Sequence, residues 1–377
     1  MMKAKWLSIF LALFLLLGFQ PPAPVSAQAD AQVRITQVDT SNFPNVTVYV
    51  SVANAAGEPV GVDPATIQIH ENGQLMSPVD VRGGGAAVGG EIIPVTTMLV
   101  MDISGSMDKN DKIGAAKEAA KAYVSGMRPG DQAGLITYDT HVYVVEPVTG
   151  DIATLVNAIS GLQTGSDTAM YDALISAEVA LEGIAGRKAI IVLTDGMDNQ
   201  SSASAEDVIA QIGASGLSIS AIGFGDTSAT GQAGLDEAGL RSLSEQAGGQ
   251  YAFATDAQTL SALYQQYGQS LQSEYAVTYV SPSTLRDGIN RSLTVSLSDS
   301  GASMQGEYNP GGVLPEVSGQ RSGVLFGGIL VALLALLVLP GLINRGVQVV
   351  AGARPRKSRI KLDKPPAQGK KPRVRLK

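Results

Sequence analysis

The chain has 377 residues, of which 45% are hydrophobic and 16% charged, and it has no cysteine. The apolar content excludes a disordered chain, and the missing cysteine excludes disulfide staples, thiolate metal sites and cysteine catalysis. The formal net charge of −7 averages three unlike parts: Lys3 and Lys5 alone in residues 1–27, a large acid excess in the middle, and twelve bases against Asp363 in residues 345–377.

In chain order, the basic start and the apolar run Trp6–Phe19 lead to the small residues Val25-Ser26-Ala27. That order reads as a secretory signal peptide over 1–27, cut near Ala27 or Ala29. From residue 30 to 90 the pattern turns to period-two alternation, in Gln32–Val38, Val46–Val52 and Thr66–His70, with Glu71-Asn72-Gly73-Gln74 as a hairpin turn. Residues 274–308 alternate in the same way, in Tyr275–Val280 and Ser292–Leu297 around the turn Asp287-Gly288. Neither flank closes a sandwich alone. Together they offer about five to seven strands, and one β-sandwich with an inserted domain is expected. Two separate β extensions are the alternative.

Between the flanks, strand-like and helix-like segments alternate. Thr96–Asp102, Gln132–Tyr138, Lys188–Thr194, Ser218–Phe224 and Gln250–Ala254 read as strands. Lys112–Met127, Asp151–Leu162, Ala169–Ile184, Ala205–Ala214, Leu235–Ala247 and Ala257–Leu271 read as helices. Val142–Val148 reads as an antiparallel edge strand. The alternation predicts an α/β domain with a mostly parallel sheet covered on both faces.

The first strand runs into Asp102-Ile103-Ser104-Gly105-Ser106. A carboxylate and two hydroxyls at spacing i, i+2, i+4 in a tight loop can turn toward one point. That point lies at the carboxyl end of a parallel strand, where open α/β sheets place ligands. Asp195 ends the buried strand Lys188–Thr194, and Thr168 stands just ahead of the next helix in Asp167-Thr168-Ala169-Met170-Tyr171-Asp172-Ala173. These are hard oxygen donors without His or Cys, suited to Mg²⁺, Mn²⁺ or Ca²⁺ and not to Zn²⁺ or Cu²⁺.

The Asp-x-Ser-x-Ser loop, the downstream Thr168 and Leu193-Thr194-Asp195-Gly196, in that order, resemble the von Willebrand factor type A (VWA) domain. The resemblance covers roughly residues 94–272. It implies a Rossmann-like, six-stranded sheet with one antiparallel edge, and a metal-ion-dependent adhesion site that usually holds Mg²⁺. By position, Ser104, Ser106 and Thr168 supply hydroxyl oxygens, and Asp102 and Asp195 bind directly or through water. A partner's Asp or Glu carboxylate completes the shell. The neighbouring Ca²⁺ site of integrin β chains is not expected, because Lys109 and Asn110 stand at its acidic positions. Asp108 and Asp111 are expected to cap the following helix.

A Gly-, Pro- and Ser-rich linker is expected from Gly306, and over 309–322 once the second β segment has ended. The uncharged run Val324–Ile343 matches a bilayer core, which predicts a transmembrane helix over 323–343. The basic tail 344–377 then stays cytoplasmic, on anionic lipid or on a cytoplasmic component. The expected whole is a single-pass membrane protein with an extracytoplasmic module for cell adhesion, surface recognition or assembly of a secretion- or pilus-type complex. A metal-assisted hydrolase, or a scaffold that recruits through its tail, is the alternative. No general base, nucleophile elbow or P-loop is visible, so an enzyme is not expected. The few aromatics give no base-stacking platform, so nucleic acid is not an expected partner.

Overall fold

The computed structural model describes residues 31–85, 91–225 and 234–312, together with Leu330 and Leu333. The expected signal peptide, the tail and nearly all of the expected span lie outside the described residues. Among the described residues no helix is long and apolar enough to cross a membrane.

The described residues begin with five strands: β1 (Gln32–Asp39), β2 (Asn45–Ala53), β3 (Ile67–Glu71), β4 (Gln74–Leu75) and β5 (Pro78–Gly83). The β3–β4 turn places Asn72 and Gly73 at φ 50° and 81°, the left-handed pair that matches strand twist in a two-residue hairpin. The α/β domain follows as β6 (Val95–Asp102), α1 (Lys112–Ser125), β7 (Gln132–Tyr138), β8 (Val142–Thr149), α2 (Ile152–Ser160), α3 (Met170–Leu181), β9 (Arg187–Thr194), α4 (Ala205–Ser215), β10 (Ser218–Phe224), α5 (Glu237–Gln246), β11 (Gly248–Ala254) and α6 (Ala257–Gln272). Three more strands close the described chain: β12 (Tyr275–Val280), β13 (Arg291–Leu297) and β14 (Ser303–Tyr308).

The α/β sheet has the order β11-β10-β9-β6-β7-β8, and every neighbour pair is parallel except β7 with β8. All eight residues of β6 and of β9 are buried. Alternate residues of β6 therefore serve two cores. Leu99 and Met101 pack with Ala120, Tyr123, Leu155 and Tyr264 from α1, α2 and α6. Met98 and Val100 pack with Leu174, Val208 and Leu240 from α3, α4 and α5. Each such aliphatic side chain contributes about 1.5–3 kcal/mol of burial, so the strand that carries the first acid is also among the most firmly held.

The outer strands form two four-stranded sheets, β1-β2-β12-β5 and β14-β13-β3-β4. Their inner faces share one core that includes Val48, Val50, Ile69, Val277, Tyr279 and Val295. The sheets thus hold eight strands, more than the five to seven expected. The added ones are polar: in β5, Pro78, Asp80 and Arg82 face outward, and β14 contains Gly306. That glycine, expected in the linker, pairs with Leu293.

The chain leaves this sandwich at Gly83 and returns at Tyr275, and these two residues are register partners. Gly83 has φ +92°, and a Cβ there would run into the Glu274 carbonyl. Only glycine accepts both conditions. The junction is held by Arg187, whose Nε donates to Glu274 Oε2 at 2.5 Å and whose Nη2 donates to Glu274 Oε1 at 2.9 Å. Nη2 also donates to Ser218 Oγ at 2.7 Å, and Nη1 to Gln37 Oε1 at 3.3 Å and to the Lys188 carbonyl. Arg187 is 1% exposed.

Candidate functional site

The loop that leaves β6 is bent by its own side chain: the Ser104 amide donates to Asp102 Oδ1 at 2.7 Å. The other Asp102 oxygen accepts from Thr194 Oγ1 at 2.8 Å, at the end of β9. The two adjacent parallel strands are thereby tied where they stop. The Gly105 amide donates to the Ser166 carbonyl at 2.7 Å, and the Gly165 amide to the Ile103 carbonyl at 2.6 Å. These bonds bring the segment before α3 against the loop. Thr168 is fixed there by Asn199, whose Oδ1 accepts from the Thr168 amide at 3.0 Å and whose amide donates to the Thr168 carbonyl at 3.0 Å.

The hydroxyls of Ser104 and Ser106 lie 3.0 Å apart, and Ser106 Oγ donates to Asp195 Oδ1 at 2.5 Å. A chain of short polar contacts thus joins Asp102, Ser104, Ser106 and Asp195. Thr168 Oγ1 stands beside Gly196, 4.0 Å from where a Cβ on that residue would sit. Asp102 and Ser104 are buried to within 1% of full coverage. Burial, the largest effect, pushes the Asp102 carboxyl up to about 6, and the nearby Asp195 charge adds to it. The Ser104 and Thr194 hydrogen bonds pull the other way.

The donor set suits a hard divalent ion: two carboxylates and three hydroxyls, with no nitrogen or sulfur. Among the described residues no cluster of three or more His, Cys, Asp or Glu exists, so a thiolate- or imidazole-type centre has no place. A buried carboxylate whose charged form the fold under-compensates is also what a dication would relieve. These residues fit the ion that the motif implies.

Residues 97–197 match the family model of the von Willebrand factor type A domain. The chain contains a von Willebrand factor type A domain. A UPF0353 protein of Mycobacterium leprae is 39% identical over 99 residues, a match that spans 25% of this chain and 28% of that relative. The chain therefore matches little more than a quarter of that relative's length. Among solved structures, an aerotolerance-related membrane protein from Bacteroides fragilis aligns at TM-score 0.41 and 20% identity, over 47% of this chain and 98% of that one. A von Willebrand factor type A protein from Catenulispora acidiphila aligns at TM-score 0.45 and 16% identity, over 77% of this chain and 74% of that one.

Within the type A domain, one detail differs from the sequence reading. Asp111 stands at the N-cap of α1, but its backbone is left-handed and its side chain makes no capping bond. Asp172 accepts from the amides of Ser202 and Ala203 at 2.9–3.1 Å. The sequence reading assigned no site role to Thr194, Asn199 or Lys112. Thr194 is visible in the Leu193-Thr194-Asp195-Gly196 motif, whereas Asn199 lies outside it. Lys112 was seen only as the start of a helix, yet its Nζ donates to Asp195 Oδ2 at 2.6 Å.

Proposed function

We propose that the type A domain is a non-enzymatic binding module. It holds Mg²⁺, with Mn²⁺ or Ca²⁺ as substitutes, on Asp102, Ser104, Ser106, Thr168 and Asp195, directly or through water. The observation that carries the reading is the polar chain Asp102–Ser104–Ser106–Asp195, which gathers hydroxyls and two acids at the ends of β6 and β9. A bound dication would supply an open position for a partner's Asp or Glu carboxylate. The chain's own part is to position: Thr194 fixes the Asp102 carboxylate, Asn199 fixes Thr168, and Ser106 orients Asp195. A groove of about 840 Å³, lined by Ser106, Asp195, Phe224 and Phe253 among others, opens beside this point and gives a partner surface to engage.

In the same reading the module is exported, anchored by 323–343 and followed by a cytoplasmic tail on anionic lipid. It serves adhesion, surface recognition or assembly of a secretion- or pilus-type complex. The test is calorimetric titration of the full-length chain in detergent with MnCl₂ and MgCl₂. One site is expected, with affinity at least a hundredfold weaker in Asp102→Ala, a loss of about 2.8 kcal/mol. Equal binding by wild type and variant would sink the cation site. Retention of a protein partner from surface extracts in Mg²⁺, and its release by EDTA, tests the adhesive half. Protease protection of the tail in sealed membranes tests the topology.

A further inference from the structure

Lys112 is the first residue of α1, and its side chain is only 18% exposed. Its ammonium pairs with Asp195 Oδ2 at 2.6 Å, while Ser106 already occupies Asp195 Oδ1 at 2.5 Å. The Asp195 side chain has no exposed surface. Both of its oxygens are therefore met by donors from the chain itself. Asp102 is treated differently: it accepts from the Ser104 amide and the Thr194 hydroxyl, both neutral.

Space for the ammonium is provided at a second place. Gly225 follows β10 with φ +148°, and a Cβ there would lie 3.3 Å from Lys112 Nζ and 3.7 Å from its Cε. The first of these is tighter than ordinary van der Waals contact. The bare backbone of Gly225 lets the lysine lie alongside on its way to Asp195. The stem is thus packed, and the charge at its end is aimed at one of the two acids of the site.

We infer that Lys112 is a tethered counter-cation that competes with the divalent ion for Asp195 and sets how tightly the site binds it. The inference rests on the proposed cation site and adds its regulation. With one ammonium against two carboxylates, the site keeps a net negative charge and stays assembled without an added ion. A dication that arrives must share Asp195 with a positive charge or turn it away. Like charges a few ångströms apart in a partly buried site repel strongly. The site is therefore tuned to weak, exchangeable binding, and it loads when the divalent ion is plentiful.

The test compares wild type, Lys112→Met, Lys112→Gln and Lys112→Arg in the full-length chain. Affinity is read by calorimetry with MnCl₂ and MgCl₂, and thermal unfolding by circular dichroism in EDTA and in excess Mn²⁺. Lys112→Met is expected to bind Mn²⁺ at least tenfold more tightly, with Lys112→Gln in the same direction and Lys112→Arg near wild type. In EDTA the Met and Gln variants unfold at lower temperature than wild type, and in Mn²⁺ the difference shrinks or reverses. Unchanged or weaker affinity in both neutral variants, with wild type binding, overturns the competition and leaves the cation site standing. Absence of binding in every protein, wild type included, overturns the cation site itself and the inference with it.

Discussion

Strand β9 carries a buried charge at each of its ends, and the two ends are finished differently. At its start, all five N–H groups of Arg187 have acceptors, among them both oxygens of Glu274. Cation and anion both belong to the chain, and the pair is closed. Just past its other end, Asp195 pairs with the ammonium of Lys112, while Asp102 leans on neutral donors. Burial of charge is common to both ends, so burial alone does not mark a binding site. In the proposed reading, the mark is that the two acids Asp102 and Asp195 meet the single ammonium of Lys112.

The comparison can be broken or sharpened by experiment, with the largest effect expected at the closed end. Arg187→Met leaves Glu274 buried without its partner, a change that costs about 3–5 kcal/mol. Urea unfolding measures it, and Arg187→Met combined with Glu274→Met should recover most of the loss. A single-variant cost under about 1 kcal/mol would remove the distinction between the ends, being no more than an exposed pair gives.

Glu178 extends the comparison to a buried carboxyl without a hydrogen-bond partner. It is 1% exposed on α3, neither carboxyl oxygen has a hydrogen bond, and burial pushes it up to about 8 from 4.5. Its folded pKa is raised, so its contribution to stability is full below pH 4.5. It declines as pH rises and is gone above 8. Glu178→Met should therefore flatten the pH dependence of unfolding. Its gain over wild type should grow by on the order of 4 kcal/mol between pH 4.5 and 8. Parallel stability–pH curves for the two proteins would refute the unpaired-acid reading. The smallest effect belongs to the open end: Ser106→Ala removes a hydroxyl that touches both Ser104 and Asp195. It should weaken Mn²⁺ binding about tenfold, the lower end for a group that orients a ligand, with little change in unfolding without the ion.

Much of the α/β domain was legible because its strands are buried on both faces and read as continuous apolar runs, as in Lys188–Thr194. Edge strand β8 was legible in Val142–Val148 as an antiparallel edge. Strands β4, β5 and β14 were not read, because their side chains are largely exposed and polar, and backbone pairing leaves no periodic mark on such a sequence. At the site, hydroxyls and acids close to strand ends were readable, since the strands themselves bring Asp102 and Asp195 together. Lys112 was not: a flexible stem reaches an acid 83 residues away, and only the packed structure decides its direction. Arg187 and Glu274 failed for a similar reason, as charged residues at strand ends ordinarily face water. Glu178 sits at a core-facing helical position, where the pattern calls for an apolar residue.

The register pairing of Gly83 with Tyr275 has a topological consequence. Strands β5 and β12 are antiparallel neighbours, so everything from residue 84 to 274 is, to the sandwich, the loop of one hairpin. A loop's closure cost grows only slowly with its length, which is how a whole folded domain can be inserted between two paired strands, where bonds such as Gln37 to the Gly186 carbonyl and Arg34 to the Gly249 carbonyl also hold it to the sandwich. A short Asn-Gly turn could stand in for the type A domain and leave the sandwich its own core.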